Sequence, residues 1–362
     1  MSTIPEGTSL RHAGLYEDTD IYGLDSSRLR NRYFILSGPG SRRLLAFPEV
    51  VGFPCYSALL DETIAALRHL FPSGTSGDID IMTILRGGLN YPLEEAAYRT
   101  GIPVRTMHFV SCERVIKNRV ITGLDIRYEK VLPDTDRIVA IGDIIATGDT
   151  FRLCLEQVAE IFHSCGGSIR RLIIFTIGGS RAIPLLENLS VKLQEMFPGF
   201  EGVDCFFYEG VFTVYEDKGV SGINTPNIDF GWKGGIVSPD FRRFVLDNPD
   251  ALLEKCIIYD GGARRYEILL HFEEVLEYWQ GILDRASVID AGALVKEKLG
   301  YDGPVPFEKW LELLDFQDLP AEVLKEVWQR EQLLFSERKD LSAIARRRIE
   351  SINSIKKQYE TH

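Results

Sequence analysis

The sequence predicts an α/β fold: a mostly parallel sheet flanked by helices, with a smaller C-terminal hood and helical region. Three observations predict it. Short apolar runs alternate with amphipathic stretches from residue 80 to residue 197, the β–α rhythm of a sheet covered on both faces. The run Ile138-Val-Ala-Ile141 is apolar at consecutive positions, as a strand buried on both faces requires. It leads through a polar, glycine-containing loop into an amphipathic helix, and ligands of open α/β sheets bind at such a strand-to-helix crevice.

The elements follow in order. Residues 1–46 begin irregularly and then predict a hairpin, with Tyr33-Phe-Ile-Leu36 and Leu44-Leu-Ala-Phe47 flanking Ser37-Gly-Pro-Gly-Ser41. Residues 56–71 read as a helix with Leu59, Leu60, Ile64, Leu67 and Leu70 on its apolar face. A strand at 80–85, a helix at 91–99, a strand at 104–110 and a second at 119–128 come next. Strand 138–141, helix 150–163, strand 171–177 and helix 181–197 complete the series, with Phe151, Leu155, Val158, Ala159 and Phe162 aligned on one helical face. Residues 203–239 are rich in aromatics and glycine and read as a smaller irregular or β-containing subdomain. Residues 264–281 and 321–355 read as helical, and the apolar stripe of the latter suits tertiary core or a subunit contact, so a homodimer stays open. This divides the chain into an extension at 1–55, a core at 56–200, and a variable hood with C-terminal helices at 201–362.

Composition sets the outer bounds. The chain of 362 residues is 45% hydrophobic, an ordinary globular value, and no apolar run nears the ~20 residues of a membrane span. The first residues lack the basic-then-apolar pattern of a secretion signal. The six cysteines show neither CxxC nor metal-type spacing and suit buried positions in a reducing compartment, so a cytoplasmic protein is expected. A net charge of −12 argues against general nucleic-acid binding while allowing a local basic pocket.

Chemistry concentrates in Arg137-Ile-Val-Ala-Ile-Gly-Asp-Ile-Ile-Ala-Thr-Gly-Asp-Thr150. Backbone amides at a helix N-terminus suit a phosphate, Gly148 permits close approach, and Thr147 and Thr150 add hydroxyl donors. Asp143, one step upstream, suits sugar hydroxyls or a metal. The bland alternative is a turn in which Asp143 and Thr147 only cap the helix. Upstream, a strand ends in Arg86-Gly87-Gly88, a turn able to hold unusual dihedrals beside a positive charge. Between the two lies Ser111 to Val120 with Arg114, Lys117 and Arg119, with Arg127 and Lys130 further on: a mobile basic cover or a solvated hairpin. Downstream, Gly178, Gly179 and Ser180 form another glycine-rich strand end, which could equally cap the next helix. The aromatics Tyr208, Phe212, Tyr215, Phe230 and Trp232 read as a hood or as a small core. Asp229-Phe-Gly231 lacks the partners of a kinase metal loop, Asp260-Gly-Gly262 reads as a turn, and no Walker A pattern occurs.

Residues 138–150 resemble the phosphoribosyl pyrophosphate (PRPP) signature of the type I phosphoribosyltransferases: an apolar run, usually two acids, two apolar residues, then Ala/Thr/Asp-Thr-Gly-x-Thr/Ser. The tail Ile144-Ile-Ala-Thr-Gly-Asp-Thr150 matches, while Gly142 stands where the first acid is expected. The resemblance spans roughly residues 75–180. It implies that Ala146, Thr147, Gly148, Asp149 and Thr150 wrap the 5′-phosphate and that Asp143 holds a ribose hydroxyl. It further implies that Arg86, Gly87 and Gly88 face pyrophosphate, and that Arg114, Lys117 and Arg119 belong to a closing loop. Gly178, Gly179 and Ser180 would border the acceptor. On this pattern Asp143 and Arg86 are the catalytic candidates, and Mg²⁺ is the implied cofactor, reaching Asp143 only through PRPP. The implied activity is transfer of ribose 5-phosphate from PRPP to a nitrogen heterocycle or related acceptor, with release of pyrophosphate. Ala146 disfavours a 6-oxopurine acceptor, because those members carry an Asp there. The alternative is a non-catalytic PRPP- or nucleotide-sensing regulator, with which Gly142 is compatible.

Overall fold

The computed structural model describes residues 4–72, 77–85, 92–117, 120–214, 230–254, 267–314, 320–336 and 340–360. The strands are β1 Ser9–Tyr16, β2 Thr19–Asp25, β3 Arg32–Ser37, β4 Ile79–Leu85, β5 Val104–Lys117, β6 Val120–Lys130, β7 Arg137–Gly142, β8 Ile169–Gly179, β9 Gly202–Val214 and β10 Phe230–Val237. They form one sheet in the order β1-β2-β3-β9-β8-β7-β4-β5-β6, with β10 added to β9. From β3 through β5 along that order every pairing is parallel; the antiparallel pairs are β1–β2, β2–β3 and β5–β6 at the margins, and β10 with the far end of β9. This is the mostly parallel sheet expected from the sequence.

Between the strands run α1 Pro39–Ala46, α2 Phe53–Ser57, α3 Leu60–Leu70, α4 Leu93–Thr100, α5 Asp149–Ser164 and α6 Ala182–Met196. Helices α3 and α4 pack together, as do α5 and α6. All six residues of β7 are buried, which explains why its apolar run shows no alternation. The chain leaves β4 toward β5, but leaves β7 toward β8 on the opposite side. Right-handed crossovers therefore send α4 and α5 to opposite faces. The carboxyl ends of β4 and β7 thus flank the point where strand order reverses, the place where such sheets open a crevice.

Two N-terminal expectations are corrected. The hairpin drawn from residues 33–36 and 44–47 is instead strand β3 followed by helix α1. Pro39 sits in the first turn, where its fixed φ suits a helix and its missing N–H is no loss. Glu62 Oε1 accepts from the amides of Gly40 and Ser41 at 3.0 Å each, and Glu209 Oε1 accepts from Gly38 N at 2.8 Å. Beside the local signals of Pro39 and a Gly38 N to Ser41 Oγ bond of 3.4 Å, these caps come from far along the chain, so the local pattern announces the helix only weakly. The segment read as irregular holds the true hairpin, β1 with β2, whose first strand is only patchily buried.

Strand β9 runs inside the sheet, parallel to both β3 and β8, so the sheet takes in chain beyond the border drawn at residue 200. Phe206 stacks between Phe34 and Phe175, with ring centroids at 4.8 and 5.3 Å. Tyr208, Phe212 and Trp232 are buried core residues rather than an open hood. Tyr215, Asp229 and Asp260 to Gly262 lie outside the described residues, and Phe230 begins β10.

The C-terminal helices are α7 Pro239–Asp247, α8 Pro249–Leu253, α9 Ile268–Arg285, α10 Ala291–Leu299, α11 Phe307–Leu311, α12 Ala321–Ser336 and α13 Leu341–Glu360. The single helical stretch read over 321–355 is thus two helices, and α13 packs along α9. Buried Glu331 joins several of these elements by accepting from Arg242 Nη1 at 2.6 Å, Tyr301 Oη at 2.7 Å and Trp310 Nε1 at 2.7 Å. No described helix is long and apolar enough to cross a membrane.

Candidate functional site

The loop after β7 is built by two devices. The first is a continuation of the parallel pairing past the end of the strand. Asp143 N donates to Phe175 O at 3.1 Å, Ile145 N reaches Ile177 O at 3.3 Å and Thr176 Oγ1 at 3.2 Å, and Gly179 N returns to Ile145 O at 2.8 Å. The second is Gly148, which takes a left-handed φ of 83° and serves as the N-cap of α5. Side chains rarely adopt that φ, so glycine is required there.

After this turn the chain enters α5, and Arg152 N donates to Gly148 O at 2.8 Å as the first helical bond. Among the described residues no backbone carbonyl accepts from the amides of Ala146 to Thr150. They form the positive end of a sixteen-residue helix whose buried face, Phe151, Cys154, Leu155, Val158, Ala159 and Phe162, is anchored in the core. Ala146 is buried, Thr147 and Asp149 are exposed, and Thr150 is half-buried. The exposed positions keep the turn accessible from outside.

Asp143 is buried at the carboxyl end of β7, where its Oδ1 accepts from Ile144 N at 2.9 Å. That bond fixes the carboxylate's direction relative to the loop. Gly142 lies inside β7 opposite Phe175 and supplies no carboxylate.

Sheet order decides which other candidates come near. Met82 of β4 is level with Ile141 of β7, so the chain leaves β4 beside the loop. Arg86, Gly87 and Gly88 follow directly after Leu85 and lie outside the described residues. Ser111 is level with Leu85, and beyond it β5 and β6 continue as an antiparallel ribbon past the end of β4, closing with Lys117 opposite Val120. Arg114 and Lys117 lie on that ribbon and Arg119 lies outside the described residues. Arg127 is engaged by Glu113 at 3.3 Å and Asp125 at 3.1 Å.

Gly178, Gly179 and Ser180 stand on the other side of the loop. Their backbone belongs to the scaffold: Gly179 N serves Ile145 O, and Ser180 N donates to Phe212 O at 2.6 Å. The three residues brace the base of the loop against β9.

Sequence reasoning missed the supports beneath the site. Thr176 receives the Ile145 amide, and Leu185 of α6 packs against Gly148. Neither residue type signals such a role. Lower in the sheet, Asp80 binds Arg137 through bonds of 2.6 and 2.9 Å and accepts from His108 Nε2 at 3.3 Å. Leu132 N donates to His108 Nδ1, which places the imidazole proton on Nε2. Burial alone would raise the Asp80 carboxyl, but the hydrogen bonds from His108 and Arg137 outweigh it and hold it below the ordinary range. This cluster locks β4, β5 and β7 in register below the crevice.

Among the described residues no group of three or more His, Cys, Asp or Glu side chains is placed to hold a metal ion. No family model and no curated protein matches the chain. Solved structures that resemble it include a hypoxanthine phosphoribosyltransferase from Staphylococcus aureus, at 16% identity over 32% of this chain and 61% of that one, with a TM-score of 0.23. A purine phosphoribosyltransferase from Pyrococcus horikoshii shows 17% identity over 42% of this chain and 85% of its own, with a TM-score of 0.27. An adenine phosphoribosyltransferase from Trypanosoma brucei shows 13% identity over 49% of this chain and 84% of its own, with a TM-score of 0.29.

Proposed function

We propose that the protein transfers ribose 5-phosphate from PRPP to a nitrogen heterocycle or related acceptor and releases pyrophosphate. One observation carries the reading: the loop Ala146 to Thr150 and Asp143 stand together at the strand-order reversal of a parallel sheet, with amides 146–150 given no backbone acceptor among the described residues.

In this reading the loop amides and the hydroxyls of Thr147 and Thr150 bind the 5′-phosphate, and Asp143 accepts from a ribose hydroxyl. Arg86 with Gly87 and Gly88 meets the diphosphate. The ribbon bearing Arg114 and Lys117, with Arg119 beyond it, covers the complex and excludes water. Gly178, Gly179 and Ser180 border the acceptor. The bond from C1 of the ribose to pyrophosphate breaks as the bond to the acceptor nitrogen forms, and positive charge grows on the ring. Catalysis is then positioning and charge stabilisation, with no covalent enzyme intermediate. Mg²⁺, brought with PRPP, would offset repulsion between an anionic ligand and a chain of net charge −12. In this reading Asp143 would meet that complex through the ribose.

Gly142 favours a second reading, a PRPP sensor without turnover, because one ribose-facing acid is replaced by hydrogen. A thermal-shift titration with PRPP and Mg²⁺, followed by a heterocycle screen for pyrophosphate release, separates the two. Binding with release supports the transferase, binding without release supports the sensor, and no binding rejects both.

A further inference from the structure

Six cysteines are spread through the sequence without pattern, yet the fold brings two of them together. Cys112 lies on β5 just past the end of β4, and Cys154 lies in the second turn of α5, the helix opened by the candidate phosphate loop. The Cys112 side chain lies near enough to Cys154 to act on its thiol, and neither sulfur is in a disulfide. The helix is held against the ribbon elsewhere as well. His108 of β5 meets Phe162 of α5 with ring centroids 5.3 Å apart, and Gln157 Nε2 donates to Glu129 Oε2 of β6 at 2.8 Å. The spacing agrees with the contact. From His108 to Cys112 the strand advances about 13 Å, and from Phe162 back to Cys154 the helix covers about 12 Å. Strand and helix run antiparallel, so contact at one pair brings the other pair level.

We infer that Cys112 and Cys154 form a reversible disulfide that staples the β5–β6 ribbon to α5 beside the candidate site. Cys112 is half-buried and meets the oxidant, while Cys154 is fully buried and acts as the resolving thiol. With hydrogen peroxide, the Cys112 sulfur attacks one peroxide oxygen, giving a sulfenic acid and water. The Cys154 sulfur then attacks the sulfenic sulfur and expels a second water. Two thiols lose two electrons and peroxide gains them, and a dithiol reductant reverses the bond. Burial, with Cys112 and Asp143 adding to it, pushes the Cys154 thiol up to about 12, so it stays protonated and Cys112 is the thiol that meets the oxidant first. A disulfide needs an S–S length of about 2.0 Å and a Cα separation of roughly 4.4–6.8 Å, and the cross-link map tests directly whether this strand–helix pair meets them. Cys165 is exposed at the far end of α5 and has no such role.

The consequence rests on the function proposed above: a ribbon tied to α5 cannot close over PRPP, which lowers the competent population. The test uses the full chain, reduced and then treated with hydrogen peroxide, mapped by mass spectrometry without reduction. The expected result is one peptide pair joining Cys112 to Cys154, lost after dithiothreitol and absent from Cys112→Ser. Conversion of Cys112 to sulfinic acid with no cross-link, or its pairing with Cys165, overturns the disulfide. A calorimetric arm compares PRPP–Mg²⁺ binding in the two redox forms, with at least about tenfold weaker binding expected after oxidation. Failure of the reduced protein to bind PRPP rejects the proposed function, while the cross-link map still decides the disulfide by itself.

Discussion

Gly148 and Leu185 are packed so closely that a Cβ on the glycine would collide with the leucine Cδ1. Leu185 of helix α6 thus lies close over the loop that opens α5, beside the left-handed turn. Gly148→Ala must bear both the φ of 83° and the collision. We expect a loss of about 2–3 kcal/mol in urea unfolding, with weaker PRPP binding. Adding Leu185→Ala relieves the collision but not the dihedral, so a double-mutant cycle should show coupling. A neutral Gly148→Ala would mean that the turn is not held this way.

Asp143→Asn keeps an acceptor for the Ile144 amide and removes the carboxylate charge that the proposed function assigns to the ribose. Calorimetric PRPP affinity should fall roughly 10- to 100-fold with little change in melting temperature, as should that of the Thr147→Ala, Thr150→Ala double variant. Affinities equal to the parent would leave this loop a purely structural turn.

Arg86→Ala should weaken PRPP more than ribose 5-phosphate, because the arginine is assigned to the diphosphate. Competition binding with both ligands measures the difference. An equal loss for the two would remove Arg86 from that role.

Asp80→Asn removes the charge from a buried, doubly bonded pair with Arg137, whose guanidinium is left with the partly exposed Asp78 at 3.4 Å. The loss should be about 3–5 kcal/mol. The Asp80 carboxyl is held below its ordinary value in the folded state, so its contribution is present at neutral pH and disappears as pH falls through that lowered value. Acid unfolding of the parent should show this slope, and the variant should lack it.

Glu209 has the opposite sign. It is fully buried, takes a φ of 61°, and accepts from Ser37, Ser41, Ser238 and the Gly38 amide. Burial, partly offset by Arg42 and these donors, pushes its carboxyl from 4.5 up to about 7. The folded state then holds the proton more tightly than the unfolded chain. The resulting stability is complete below about 4.5 and is lost as pH rises through about 7, on the order of 3 kcal/mol. Glu209→Gln should flatten the fall in urea midpoint between pH 5 and pH 8. Glu254 also lies near 7 and keeps part of that slope. An unchanged profile in the variant would assign the slope elsewhere.

The parallel layers were legible in the chain because their burial is complete. β7 is covered on both faces, so its apolar run stands out, and α5 presents the same face in the fold as in its periodicity. β9 was hidden among aromatics that suit a loop-rich subdomain as well as a central strand. Helix α1 was hidden because Glu62 and Glu209 supply its caps from other elements.

By itself the sequence determined the α/β alternation and the strand–loop–helix around Asp143 and Gly148, since periodicity, glycine placement and helix starts are local properties of the chain. Only the tertiary structure decided that β4 and β7 are neighbours, that the ribbon rises beside the loop, that Leu185 closes on Gly148, and that Cys112 meets Cys154. Those relations join residues tens of positions apart. They follow from strand order and helix packing, which are settled by burying the whole core at once and leave no mark on any single segment.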